Sequence, residues 1–104
     1  MRSITSTELH EYLQDNNPVL LDVREPAEHA ICQIEGSLLI PMGEITSRIQ
    51  ELDEDDEIVC ICHHGMRSMQ VAMYLESQGF GNMVNLTGGI DDWAQTVAPA
   101  MNRY

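Results

Sequence analysis

The sequence predicts an α/β domain in which a central parallel sheet of about four to five strands is flanked by helices in three layers. Two observations carry that expectation. Short, largely apolar runs recur at Val19-Leu20-Leu21-Asp22-Val23, Leu38-Leu39-Ile40-Pro41, Ile58-Val59-Cys60-Ile61 and Met83-Val84-Asn85-Leu86. They lack the polar alternation of a half-solvated strand and read as strands buried on both faces. Between them lie stretches with apolar residues at helical spacing, and such alternation implies parallel β-α units with right-handed crossovers. At 104 residues the chain supports one core, so residues 1–104 form a single domain with its core over about 4–99.

Each element has its own local reason. Ile4 begins a short extended piece, and Thr5 precedes Glu8 at the spacing of a capping box. Leu9, Tyr12 and Leu13 then recur as one helix face, which Asp15-Asn16-Asn17-Pro18 terminates. After the strand at Val19–Val23, Pro26 suits the first turn of a short helix through Glu28 and His29. Ile31 and Ile34 cover the core from the loop that follows. Beyond the strand at Leu38–Pro41, the residues Ile45, Ile49 and Leu52 predict a helix over Gly43–Leu52. Asp53-Glu54-Asp55-Asp56-Glu57 lacks the glycine and the ligand alternation of a calcium loop and reads as a solvated turn. Past the strand at Ile58–Ile61, a helix starting near Arg67 or Ser68 places Ser68, Val71, Ala72 and Leu75 on one face and ends at Gly79. Met83–Leu86 is the last strand. Gly88-Gly89 turns the chain into a closing helix, Ile90–Val97, that buries Ile90 and Trp93.

Composition excludes several function classes. Five basic residues against 17 acidic ones give a formal charge of −12, which repels nucleic acid and anionic membranes. No apolar run is long enough to cross a bilayer and no secretory leader is visible, so the default location is cytoplasmic. Three cysteines without paired spacing argue for reduced thiols rather than a disulfide framework.

One stretch carries chemistry: Cys62-His63-His64-Gly65-Met66-Arg67-Ser68. It sets a thiol at the carboxyl end of a buried strand and before a helix N-terminus, the usual ligand crevice of an open α/β sheet. A free thiol of pKa about 8.5 is ionised only to a few per cent at neutral pH. A helix dipole and inward-curled N–H groups from His63, His64, Gly65 and Met66 favour the anion. Gly65 supplies a backbone conformation that a Cβ resists. Arg67 adds permanent positive charge, either bonding loop carbonyls or meeting an anionic substrate. Cys60 lies inside the strand and reads as an apolar filler, and Cys32 as a surface or loop thiol, less readily as a resolving thiol. Cys60, Cys62, His63 and His64 are too crowded for a closed zinc site, so no metal and no cofactor is expected. His63 and His64 are expected to face solvent or substrate, and His10 to be a solvated helix position. Asp22 and Arg24 are expected to support the loop by structural hydrogen bonding, with Arg24 paired to Glu28 at four-residue spacing.

Cys62-x-x-Gly65-x-Arg67-Ser68 resembles the active-site loop of the rhodanese family of sulfurtransferases. Three more segments match in the family's order: Leu20–Pro26, then Ile34-Glu35-Gly36-Ser37 through Ile40-Pro41, then Asn85–Ile90 with Trp93. The resemblance spans Ile4 to Pro99. Cys32-Gln33 stands where many members carry Gly-His, and His29 where an aromatic is frequent. The resemblance implies a rhodanese-like fold and a two-step reaction. Cys62 takes the sulfane sulfur of thiosulfate or another persulfide donor as a persulfide. It passes it to a thiophilic acceptor, cyanide in vitro and thiols in vivo. His63, His64, Gly65, Met66, Arg67 and Ser68 then surround a small anionic donor, and a protein sulfur donor is also compatible. Two other readings remain open. Related cysteine-loop phosphatases and arsenate reductases have a similar site with one more residue between cysteine and arginine, where this chain has four. A non-catalytic binding module is the third.

Overall fold

In the computed structural model, which describes all 104 residues, five parallel strands form one sheet in the order β1-β5-β4-β2-β3. They are β1 (Arg2–Ile4), β2 (Val19–Asp22), β3 (Leu38–Leu39), β4 (Ile58–Ile61) and β5 (Met83–Leu86). The helices are α1 (Ser6–Tyr12), α2 (Pro26–Ile31), α3 (Ile45–Arg48), α4 (Met66–Ser77) and α5 (Gly89–Thr96). The centre of the sheet is β4, paired with β2 through Val19–Ile58 to Asp22–Ile61 and with β5 through Ile58–Met83 to Cys60–Asn85.

Burial on both faces explains the unbroken apolar runs. Ile58, Cys60 and Cys62 join Leu21, Val23, Val71, Ala72 and Leu75 in one cluster, on the side of α4. Val59 and Ile61 point the other way, into a cluster with Leu9, Leu20, Val84, Leu86, Ile90 and Trp93 on the side of α1 and α5. Successive residues of a strand face opposite layers, so one run of four residues serves two cores.

Local signals held where they rested on hydrogen bonding. The Glu8 amide donates to Thr5 Oγ1 and the Thr5 amide to Glu8 Oε1, a reciprocal cap on α1. Boundaries moved by a residue or two. The first strand ends at Ile4 rather than beginning there, β2 stops at Asp22, β3 at Leu39, and α4 starts at Met66. The continuous helix expected over Gly43–Leu52 is instead α3 between two 3₁₀ turns, Met42–Glu44 and Ile49–Glu51. Its apolar positions still reach the core, because Ile45 is buried and Ile49 and Leu52 pack on the α4-side cluster.

The expected Arg24–Glu28 ion pair does not form. Arg24 is fully buried and its guanidinium bonds Asp22 through Nε and Nη2 at 2.9 and 2.7 Å. It also donates to the carbonyls of Cys32 at 2.7 Å and Glu28 at 3.2 Å. Four-residue spacing brings charges together only within a continuous helix, whereas Arg24 precedes α2 and turns inward. Burial opposes the charge, and the bonds to Asp22 and Tyr104 more than offset it, so the guanidinium is held ionised. Cys32 is likewise buried rather than a surface thiol, with Sγ 3.9 Å from Arg24 Nη1.

Removing one member of a buried pair leaves the other uncompensated. Arg24→Ala is therefore expected to cost about 3–5 kcal/mol of stability, seen as a lower midpoint in urea unfolding.

Candidate active site

The site grows from the end of β4. Ile61 closes the strand, and the next residue, Cys62, is 1% exposed. Its Sγ accepts a hydrogen bond from the Gly65 amide at 3.0 Å, and Ser68 Oγ lies 3.3 Å away. Gly65 has φ +103°, a left-handed conformation that side chains with a Cβ resist. That turn sends the Gly65 N–H back onto the sulfur and starts α4 at the next residue. Among the loop amides, Gly65 is the one that bonds the sulfur, so the nest is narrower than the loop sequence implies.

A second tier fixes these donors. Asn85 of β5 is buried among apolar neighbours. Its Nδ2 donates to the Gly65 carbonyl at 3.1 Å, and its Oδ1 accepts from the Ser68 hydroxyl at 2.6 Å. Ser68 has one hydroxyl proton for two acceptors. With Cys62 as a thiol, Ser68 donates to Asn85 and accepts from S–H.

The N-terminus of α5 clamps the loop from below. The Ile90 amide donates to the Cys62 carbonyl at 2.8 Å and the Asp91 amide to the His63 carbonyl at 3.1 Å. Gly89, at φ +62°, passes so close that an added Cβ would lie 2.4 Å from the His63 carbonyl oxygen and 2.5 Å from that of Cys62. The second glycine of Gly88-Gly89 is thus a contact surface for the loop as well as a turn.

The mouth of the site is built from charge. Arg67 neither bonds loop carbonyls nor projects free toward a substrate; its Nη1 and Nη2 bond both carboxylate oxygens of Glu28, at 2.8 and 2.9 Å. Glu28 also accepts from the Glu25 amide at 3.0 Å and from the Tyr104 hydroxyl at 2.8 Å. The Arg67 bonds, opposed by partial burial and aided by the Glu25 and Tyr104 bonds, lower its carboxyl pKa from the usual 4.5 to about 2. Tyr104 accepts from Arg24 Nη1 at 3.0 Å, and its ring stacks on His63 with centroids 4.0 Å apart. His63 is therefore part of a packed wall, and burial followed by the neighbouring His64 lowers its pKa. His64 is exposed. Cys62, His63, His64, Met66 and Arg67 line a cavity of about 170 Å³. A larger one of about 590 Å³, at the far end of α4, is lined by Ile49 to Glu54, Gln78 and Phe80 and contains no nucleophile.

The seven loop residues are thus brought together, with Cys62 and Ser68 buried and Met66 75% exposed. Asp22 and Arg24 stand behind them and reach the mouth through Tyr104. Cys60 is buried and its thiol is pushed up to about 12, by burial first and the neighbouring Cys62 second. No three His, Cys, Asp or Glu side chains are grouped to hold a metal ion. His10 is exposed, with its ring edge-on to Trp93 at 6.2 Å. Four contributors escaped the sequence reading. Asn85 left a signal, a polar residue inside a buried strand. Helical spacing points Glu28 to Arg24 rather than to Arg67, and the Gly88-Gly89 pair reads as a turn alone. Tyr104 lies past the expected core and left no signal.

Comparison with known proteins agrees with this geometry. A family model described as "Rhodanese-like domain" matches residues 5–96. A sulfurtransferase of Allochromatium vinosum is 41% identical over 100 residues, covering 95% of this chain and 94% of its own. A thiosulfate sulfurtransferase of Pseudomonas fluorescens, GlpE, is 36% identical over 84 residues, covering 81% and 77%. A crystal structure of a Staphylococcus saprophyticus protein superposes with a TM-score of 0.85 at 41% identity, covering 93% of this chain and 97% of that one.

Two outcomes follow from the clamp and the ion pair. Gly89→Ala must displace the loop carbonyls, and a loss of more than about 2 kcal/mol is expected in thermal or urea unfolding. Because the Glu28 pKa is depressed on folding, its pair stabilises fully above about pH 4.5 and fades as pH falls from there toward about 2. Unfolding curves of the native chain and Glu28→Gln should differ above that window and converge as the pH falls through it.

Proposed function

The chain belongs to the rhodanese-like family and is a rhodanese-type sulfurtransferase, and from that premise we propose that it carries sulfane sulfur as a persulfide on Cys62. The observation that carries this reading is the Cys62 sulfur lying beside the Gly65 amide and the Ser68 hydroxyl, at 3.0 and 3.3 Å, in a cavity of about 170 Å³. Donors fixed before the reaction stabilise a sulfur anion without reorganising.

In the first half-reaction the Cys62 thiolate attacks the outer sulfur of a donor such as thiosulfate. The donor S–S bond breaks, sulfite leaves with the electron pair, and Cys62 becomes a persulfide. In the second, a thiolate acceptor, or cyanide in the test tube, attacks the terminal sulfur. Cys62 then leaves as the thiolate. The Gly65 amide and Ser68 hydroxyl stabilise that charge at the start and the end of the cycle. The terminal sulfur occupies the cavity bounded by His63, His64, Met66 and Arg67. Asp22 and Arg24 act on the loop indirectly, through the Tyr104 that Arg24 bonds and that stacks on His63. The sulfur rides on the protein's own thiol, so the cycle uses no cofactor. Its partners are a small sulfur donor, a thiol acceptor and, where the donor is itself a protein, a persulfide-bearing protein.

Mass spectrometry after incubation with thiosulfate is expected to show one added sulfur atom on the wild-type chain and none on Cys62→Ala. Cyanide should remove the added sulfur. If Cys62→Ala still acquires it, another thiol is the carrier. A folded wild-type chain that takes sulfur from neither thiosulfate nor an organic persulfide is instead a binding module.

A further inference from the structure

The chain contains five arginines and no lysine, and every one of the five is committed to a carboxylate. Arg2 bonds Glu57, Arg24 bonds Asp22, Arg48 bonds Glu44 and Glu51, Arg67 bonds Glu28, and Arg103 bonds Asp91. The formal charge of −12 is thus relieved by no free cationic side chain of this type anywhere on the molecule. At the mouth, Arg67 meets Glu28 at 2.8 and 2.9 Å, while Asp91 lies 4.0 Å from His63 and is paired with Arg103.

An anionic donor is attracted less when the positive charge of the site is already cancelled, and a neutral pair offers little to a dianion. Glu28 is not a casual partner. Four hydrogen bonds converge on its carboxylate, from both Arg67 nitrogens, the Glu25 amide and the Tyr104 hydroxyl. Its depressed pKa keeps it ionised across the working range. Tyr104 is fastened in turn by Arg24 and by stacking on His63, so Glu28 is held in place from three sides.

Resting on the reading of Cys62 as the sulfur carrier, we propose that Glu28 determines donor specificity: by occupying Arg67 it disfavours the thiosulfate dianion against donors of lower charge, such as sulfane sulfur on an organic or protein thiol. The chemistry at Cys62 is unchanged between donors. The thiolate attacks the outer sulfur, the donor S–S bond breaks, and sulfite, a sulfinate or a thiolate leaves with the electron pair. What Glu28 alters is the field that the incoming charge meets.

Two donors separate charge from chemistry: thiosulfate, a dianion, and methanethiosulfonate, a monoanion that releases methanesulfinate in the same step. The readout is kcat/KM for persulfide formation on Cys62, followed by release of sulfite or methanesulfinate. Glu28→Gln leaves Arg67 with uncompensated charge, and an exposed charge is worth about threefold per unit of donor charge. Thiosulfate should improve about tenfold and methanethiosulfonate about threefold, so their ratio rises about threefold, and added salt should erase the gain. Glu28→Asp keeps the charge while shortening the reach, and should leave the ratio near that of the native chain even if both rates fall. An unchanged ratio in Glu28→Gln, or the same rise in Glu28→Asp, overturns the proposal. If the native chain loads Cys62 from neither donor, the sulfur-carrier reading fails with it. If loading is normal and the ratio stays flat, only the role of Glu28 fails.

Discussion

The contact between the N-terminus of α5 and the loop after β4 is the constraint on which the site depends. A loop that buries a thiol must satisfy its own carbonyls, and those of Cys62 and His63 have left the sheet before the next helix begins. The amides of Ile90 and Asp91 take them, which also uses helix donors that have no partner within their own helix. Only a residue without a Cβ fits at Gly89. Two chain segments far apart in sequence thereby fix one backbone, and the sulfur position follows from it.

That backbone alone does not supply the sulfur with hydrogen-bond donors. The Gly65 amide and the Ser68 hydroxyl do so, and Asn85 aims both of them. Asn85 is a polar residue in a strand otherwise buried among apolar side chains, and such a group persists where its hydrogen bonds are made. Here its carboxamide uses both ends. The contrast with Cys60 is instructive: two residues back on the same strand, it faces the same core with no donor toward it, and its thiol is pushed up to about 12 by burial first. Two positions along the chain thus separate a thiol without hydrogen-bond donors from one that has two.

The electrostatics of the mouth run against the simplest picture of an anion site. Arg67 is near enough to line the cavity but is held by Glu28, and Glu28 is held by Tyr104 and Glu25. Charge neutrality at the mouth and donor bonds at the sulfur divide the work. The mouth thus presents little net charge from Arg67, while the hydrogen bonds at the sulfur are local to Gly65 and Ser68.

The sequence by itself determined the parallel α/β class, the helix and strand order, and the thiol at the end of the central strand. These follow from periodicity, capping and turn chemistry, which act between residues a few positions apart. It also made Gly65 legible, because a turn between strand and helix demands left-handed backbone. Tertiary structure decided which partner each charge takes. Arg24 and Glu28 sit at helical spacing, yet Arg24 turns into the core toward Asp22 while Glu28 reaches Arg67, 39 residues away. Tyr104 joins that network from 76 residues beyond Glu28, and Gly89 meets the loop across the fold. No local pattern encodes such pairings, since an ion pair depends on where the packed elements set the two side chains, and burial at each end decides which one wins.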